Sequence, residues 1–208
     1  MLPRLLVPAL LFVCAQVHTQ DVPNAEPLQC LVDGAREQIG LTLSYDPSYQ
    51  RLQYPGGDVA LASGVCTDVL VRAYRALGVD LQVLVHEDMR AHFSAYPRNW
   101  GLTTTDRNID HRRVPNLARF FTRHGQSFAS DSEDAGYLAG DLVTWRLPSG
   151  VPHIGIVSDR QTGDGRPLVV HNIGAGAVEE DMLRAYEITG HYRWRPRGLP
   201  AECKSKNL

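Results

Sequence analysis

The feature that most constrains this chain is a change of period in its hydrophobic pattern about two thirds of the way along. In the first part, apolar residues recur every three or four positions. Leu28, Leu31, Val32, Ala35 and Ile39 form one such series, and Val69, Leu70, Ala73, Tyr74 and Leu77 form another that stops at Gly78, where a helix cap is expected. Helices are also predicted over His86–Phe93 and Val114–Arg123, with Pro115 suited to a first turn. The stretches 45–64, rich in turn residues, and 94–113 are predicted to be loops. From Leu142 onward the pattern shortens to alternating or continuous apolar runs, at Leu142–Trp145, Ile154–Val157, Leu168–Ile173 and Ile188–Arg193. Helices first and strands afterwards predict an α+β domain, N-terminal helices followed by a central antiparallel sheet, rather than a wound parallel one.

The first 20 residues stand apart. Arg4 precedes the apolar run 5–15, which is too short to span a bilayer and gives way to His18, Gln20 and Asp21. The pattern is that of a signal peptide cleaved between residues 15 and 20, leaving 21–208 as one domain with no membrane span. Cleavage removes Cys14; the rival reading makes Cys14 a lipid-modified terminus, against which the bulky Val13 argues. A net charge of −2 with dispersed basic residues indicates no nucleic-acid partner.

Three cysteines survive export, Cys30, Cys66 and Cys203, and an odd number in an oxidising compartment leaves a thiol over. Domain termini often lie close together, so Cys30 and Cys203 are the natural pair, which makes Cys66 the free thiol. Three buried, unreactive thiols are the alternative. Cys66 begins the second helical series, where unpaired N–H groups and the macrodipole favour a thiolate. Taken alone, that position fits a buried structural cysteine better than a nucleophile, so a base is required.

His153 supplies one. In the run His153-Ile154-Gly155-Ile156-Val157 the pleat sends the two isoleucines to one face and His153 to the other. The turn Thr162-Gly163-Asp164-Gly165 lies midway to His171, so a hairpin would set the two histidines opposite each other; a slip of one residue would bring Asn172 instead. Either could orient the base by holding its second ring nitrogen.

A Cys on a helix, a His on a strand and a polar residue on the next strand resemble the papain-like superfamily. The segments Gly64-Val65-Cys66-Thr67-Asp68-Val69, Gly140-Asp141-Leu142-Val143 and His153-Ile154-Gly155-Ile156-Val157 resemble motifs of its NlpC/P60 branch. The whole run 45–192, including Tyr54-Pro-Gly-Gly, His86-Glu-Asp-Met-Arg and Val170-His-Asn-Ile-Gly, resembles the bacterial family DUF1287, whose function is unknown. The resemblance implies a papain-like catalytic domain, periplasmic or secreted, whose Cys66, His153 and His171 hydrolyse an amide with no cofactor, the substrate being peptidoglycan or another peptide. The same thiol and imidazole could instead serve an acyltransferase or thioesterase, or the cleft could merely bind cell-wall fragments.

This chain departs from the branch at Thr67-Asp68, which replaces a small Ser-Gly pair and sets a carboxylate beside the sulfur. Asp68 is expected either to cap the helix in contact with solvent, to raise the thiol pKa, or to hold a substrate amine. By analogy Tyr54 is a candidate for an oxyanion site. Arg112 is a candidate for gripping substrate carboxylates, the run Asp110-His111-Arg112-Arg113 otherwise being a solvated loop. His86 and His92 are six residues apart, so the His-Glu-x-x-His zinc spacing is not met and no metal is expected.

Overall fold

A computed structural model describes residues 26–196. Four helices precede most of the sheet: α1 (Glu26–Arg36), α2 (Cys66–Ala76), α3 (Leu81–Ala91) and α4 (Val114–His124). The short strands β1 (Ser44–Tyr45) and β2 (Ser63–Gly64) form a parallel pair beside α2. The main sheet is made of β3 (Gln126–Phe128), β4 (Leu142–Arg146), β5 (Pro152–Gln161), β6 (Pro167–Asn172), β7 (Ala177–Glu180) and β8 (Glu187–Arg193). Its order is β3-β8-β4-β5-β6-β7 and each pairing is antiparallel. The fold is therefore α+β with an antiparallel sheet, as the change of period predicts.

The two faces of the sheet are covered differently. Leu142, Ile154, Ile156, Val170 and Tyr192 pack against the helices, joined by Leu31, Val69, Leu70, Tyr74 and Phe121. On the other face Val143, Trp145, Val157 and Val169 are sealed by Tyr137, Met182 and Leu183. The alternation along β5 follows from the pleat: Ile154 and Ile156 go to the helices and Val157 to the second layer. Asp141, in the run Gly140-Asp141-Leu142-Val143, ties β4 to β8. It is fully buried and accepts hydrogen bonds from His191 Nε2 at 2.7 Å and from the Arg193 guanidinium at 2.6 and 2.7 Å.

α2 lies at the centre, buried on nearly all sides. Two charged residues survive there because each is paired. Arg72 reaches Asp58, Thr42 and the carbonyls of Val59, Ala60 and Ser63, and so fastens the incoming loop to the helix. Asp68 is held by Arg112.

Several expectations need correction. α3 starts at Leu81, five residues before the predicted His86, because Asp80 caps it by accepting the Gln82 N–H at 2.9 Å. The stretch 94–113 is not wholly a surface loop. Its last turn, Asp110–Arg112, is buried, with Asp110 Oδ2 bonded to His86 at 3.0 Å and Asn116 donating to the Asp110 carbonyl at 3.0 Å. Strands β3 and β7 are absent from the prediction, being too short to carry a period. The proposed Cys30–Cys203 bridge and the signal segment involve residues outside those described. Among the described residues no helix is long and apolar enough to cross a membrane.

Candidate functional site

Cys66 is the first residue of α2 and a free, buried thiol. The sequence brings it there through Gly64, where a side chain would be impossible without movement: a Cβ would lie 3.0 Å from Asp68 Oδ2 and 3.2 Å from Asp68 Cβ. That close approach lets Asp68 accept the Val65 N–H at 2.7 Å and close the first turn. Asp68 is thus a helix-start cap, but a buried one rather than the solvated one expected. Arg112 holds its carboxylate in a two-point fork, Nε to Oδ1 at 2.9 Å and Nη2 to Oδ2 at 3.0 Å. Arg112 also donates to the carbonyls of Ser48 and Asp46, so four of its five N–H groups are used within the protein. Asp68 and Arg112 thus neutralise one another, while Arg112 still borders the cavity at Cys66.

The backbone N–H groups of Ile154 and Thr67 and the Tyr45 hydroxyl lie near the sulfur. All three favour a thiolate. Burial outweighs them, and with the Asp68 carboxylate nearby the thiol is pushed up to about 11. The helix start therefore does not yield a resting thiolate, contrary to the dipole argument: desolvation of a small buried anion exceeds the field of one helix end. Tyr45 is likewise pushed upward, by burial and by the adjacent sulfur.

Ile154 follows His153, but the pleat turns their side chains to opposite faces: Cys66 packs on the helix side with Ile154, whereas His153 lies with Trp145 and His171 on the other side. The β5–β6 register runs through Val157↔Val169 and Ile156↔Val170. This register is offset by two residues from the predicted hairpin. An even offset preserves the face, and His171 remains on the His153 side. The two now lie diagonally, bridged over Gly155, where a Cβ would come within 2.6 Å of Val169 Cγ1 and 3.2 Å of His171 Cβ. His153 Nε2 and His171 Nδ1 are 3.1 Å apart, and His171 Nε2 is 3.0 Å from Glu180 Oε1 on β7.

This ladder fixes the tautomers. The Glu180 carboxylate accepts, so His171 carries its proton on Nε2 and presents Nδ1 as an acceptor. His153 must then donate from Nε2, which leaves the lone pair on its Nδ1. Burial, with the neighbouring His171, lowers His153 to about 3, and burial also lowers His171 against the opposing pull of Glu180. At neutral pH the site thus holds a neutral thiol and neutral imidazoles.

Asn172 points to the other face, donating to the carbonyls of Ser44 at 3.2 Å and Gly64 at 3.1 Å. It fastens β6 to β1 and β2 instead of orienting His153. Tyr54 stands elsewhere, its hydroxyl bonded to Glu87 at 3.0 Å and its ring edge-on to His86. Tyr45 is the tyrosine at the sulfur. Its signal in the sequence was confined to its place at the head of the turn-rich loop, and only the β1–β2 pairing brings it to the nucleophile. Glu180 carried no signal, since β7 was not foreseen.

Cys66 opens on a cavity of about 390 Å³ lined by Tyr45, Tyr49, Trp100, Arg112, Arg113 and Pro152, among others. Among the described residues no group of three or more His, Cys, Asp or Glu side chains is placed to hold a metal ion. The thiol and the histidine ladder lie at the same strand, β5, but no hydrogen bond joins the Cys66 sulfur to His153, and His153 does not line the cavity.

The family described as "Domain of unknown function (DUF1287)" matches residues 32–194. An uncharacterised protein of Escherichia coli (strain K12), YijF, is 56% identical over 164 residues, covering 79% of this chain and 80% of that protein. Among solved structures, NlpC1 from Trichomonas vaginalis is similar at 15% identity with a TM-score of 0.43, over 83% of this chain and 46% of that one. This chain therefore spans less than half of the length of NlpC1.

Proposed function

The chain belongs to the DUF1287 family, and on that footing we propose that it is an exported cysteine hydrolase of papain-like design that cleaves an amide bond in peptidoglycan stem peptides. What supports this reading is a free, buried thiol at the start of α2 set against β5, the strand that also carries the His153 end of the ladder Glu180–His171–His153.

Because thiol and imidazole are both neutral at rest, proton transfer accompanies attack. His153 Nδ1 takes the thiol proton as the S–C bond forms and the carbonyl electron pair moves to oxygen. The Tyr45 hydroxyl, which lies beside the sulfur, is a donor at hand for that oxygen. Collapse expels the amine, which leaves with the proton from His153. Water, deprotonated by the same nitrogen, then attacks the thioester and releases a carboxylic acid and the thiol.

The raised thiol favours a second reading, a cell-wall-binding domain that keeps the fold without the chemistry, since a thiol near 11 is a poor nucleophile unless a base removes its proton during attack. One experiment separates the two. Purified protein and its Cys66→Ala variant are incubated with peptidoglycan and stem peptides, and new termini are identified by mass spectrometry. New amide-derived termini with the parent protein only support the hydrolase; identical product profiles reject it.

A further inference from the structure

The cavity beside Cys66 has an uneven charge. Its lining includes two arginines and no carboxylate side chain. Arg112 is neutralised by Asp68, which leaves Arg113 as the cation of the cavity. Arg113 precedes α4 and serves it through its backbone, so its side chain is not needed for the cap. One guanidinium nitrogen, Nη1, is buried without a hydrogen-bond partner. Asp106 senses the Arg113 charge, but its carboxylate is engaged by the Tyr49 hydroxyl at 2.9 Å and by the Asn108 backbone and side chain at 2.9 and 2.8 Å.

The guanidinium lies 4.6 Å over the ring of Trp100. Trp100 has φ 60 and is the one non-glycine residue at positive φ among those described; it is also 61% exposed. An unfavourable backbone conformation therefore supports an indole that gains little burial, and its partner is a cation with an unused donor. Residues held this way tend to serve a ligand. A carboxylate is the group that satisfies both the charge and the open donor geometry of an arginine.

We propose that Arg113, backed by Trp100, is a carboxylate subsite, so that the substrate carries an anionic group within about one residue of the carbonyl attacked by Cys66. The cavity volume accommodates a ligand of that size. The inference rests on Cys66 being the nucleophile only for the position of the carbonyl; the carboxylate site is testable without turnover.

The indole ¹H–¹⁵N signal of Trp100, identified by its loss in Trp100→Phe, is followed while N-acetylglutamate or its neutral diamide is added to the purified protein. The acid is expected to shift the signal saturably, the diamide not. In Arg113→Gln the acid should bind about tenfold more weakly or not at all, and Arg113→Lys should fall between. Melting curves establish that each variant is folded. An equal response to acid and diamide, an unchanged response in Arg113→Gln, or no binding by the parent protein overturns the proposal. If the acid binds as expected but Cys66→Ala yields the same peptidoglycan products as the parent, the subsite stands and the hydrolase reading fails.

Discussion

Replacing Arg112 by methionine isolates the pairing that places a carboxylate under the nucleophile. Both partners are buried, with side chains 2% and 4% exposed, and Arg112 supplies two of the three hydrogen bonds that Asp68 accepts. Methionine keeps much of the stem's volume and leaves Asp68 with the Val65 N–H alone. Two unit charges about 4 Å apart attract by about 4 kcal/mol at an effective dielectric of ~20, and breaking a buried pair on one side costs about 3–5 kcal/mol. Against a total stability of about 5–15 kcal/mol, that is a large fraction, so urea unfolding should show a much lower midpoint with an unchanged slope. The double variant Asp68→Asn/Arg112→Met should recover most of the loss, because asparagine can still accept the Val65 N–H while the stranded charge is gone. The thiol reports the same change in a second way. Its thiolate absorbance should titrate higher in Arg112→Met, where Asp68 is unneutralised, and lower in Asp68→Asn. A cost under about 1 kcal/mol for the single variant, or a double variant as unstable as the sum of the two singles, would refute the reasoning.

Three further outcomes follow from the histidine ladder and its surroundings. Glu180→Leu should release the tautomer of His171, visible as a change in the imidazole ¹⁵N shifts of both His171 and His153, and lower kcat on order of tenfold; unchanged shifts would show that Glu180 does not set the tautomers. Gly155→Ala should cost about 1–3 kcal/mol, because its methyl would meet Val169 Cγ1 at 2.6 Å; a wild-type melting temperature with the histidine shifts unmoved would contradict this. Acid should destabilise the protein early. His153, near 3, and His111, near 4, are depressed by burial below their usual value of 6.5, so the unfolded chain takes up protons first. Stability is thus complete above about pH 6.5 and falls as pH drops toward the folded values, by about 2 kcal/mol per histidine at pH 5. His111→Gln should remove its share of that slope in urea titrations, and equal midpoints at pH 5 and pH 7 would rule the account out.

What could be foreseen from the chain divides by the range of the forces involved. The period of Val69, Leu70, Ala73 and Tyr74 is a local property, and α2 appears where that period places it. The parity of His153 and His171 is also local, and it tolerated a two-residue error in register because the pleat repeats every two residues. Tyr45 and Glu180 could not be found this way: they reach the site through a two-residue parallel pairing and a four-residue strand, neither long enough to print a pattern. The charge state of the thiol is hidden from the sequence for a related reason. The helix end is visible in the sequence, whereas the depth of burial that overrides it depends on how the sheet closes over Cys66. Arg112 shows the same limit, since an arginine in a charged run looks solvated until its partner 44 residues earlier is known.

Asn172 has a bearing on how accurately the site is aligned. Its single amide group spans from the end of β6 to the carbonyls of Ser44 and Gly64, which adjoin Tyr45 on one strand and lead to Cys66 on the other. The groups contributed by the two halves of the chain are thus referenced to one another through one small planar fragment, and not only through the broad apolar contact between α2 and the sheet. Loss of apolar area would weaken the whole domain and leave that gauge in place. Shortening or reshaping the amide would leave the domain folded and detune the spacing between sulfur and imidazole, so that stability and alignment answer to different side chains.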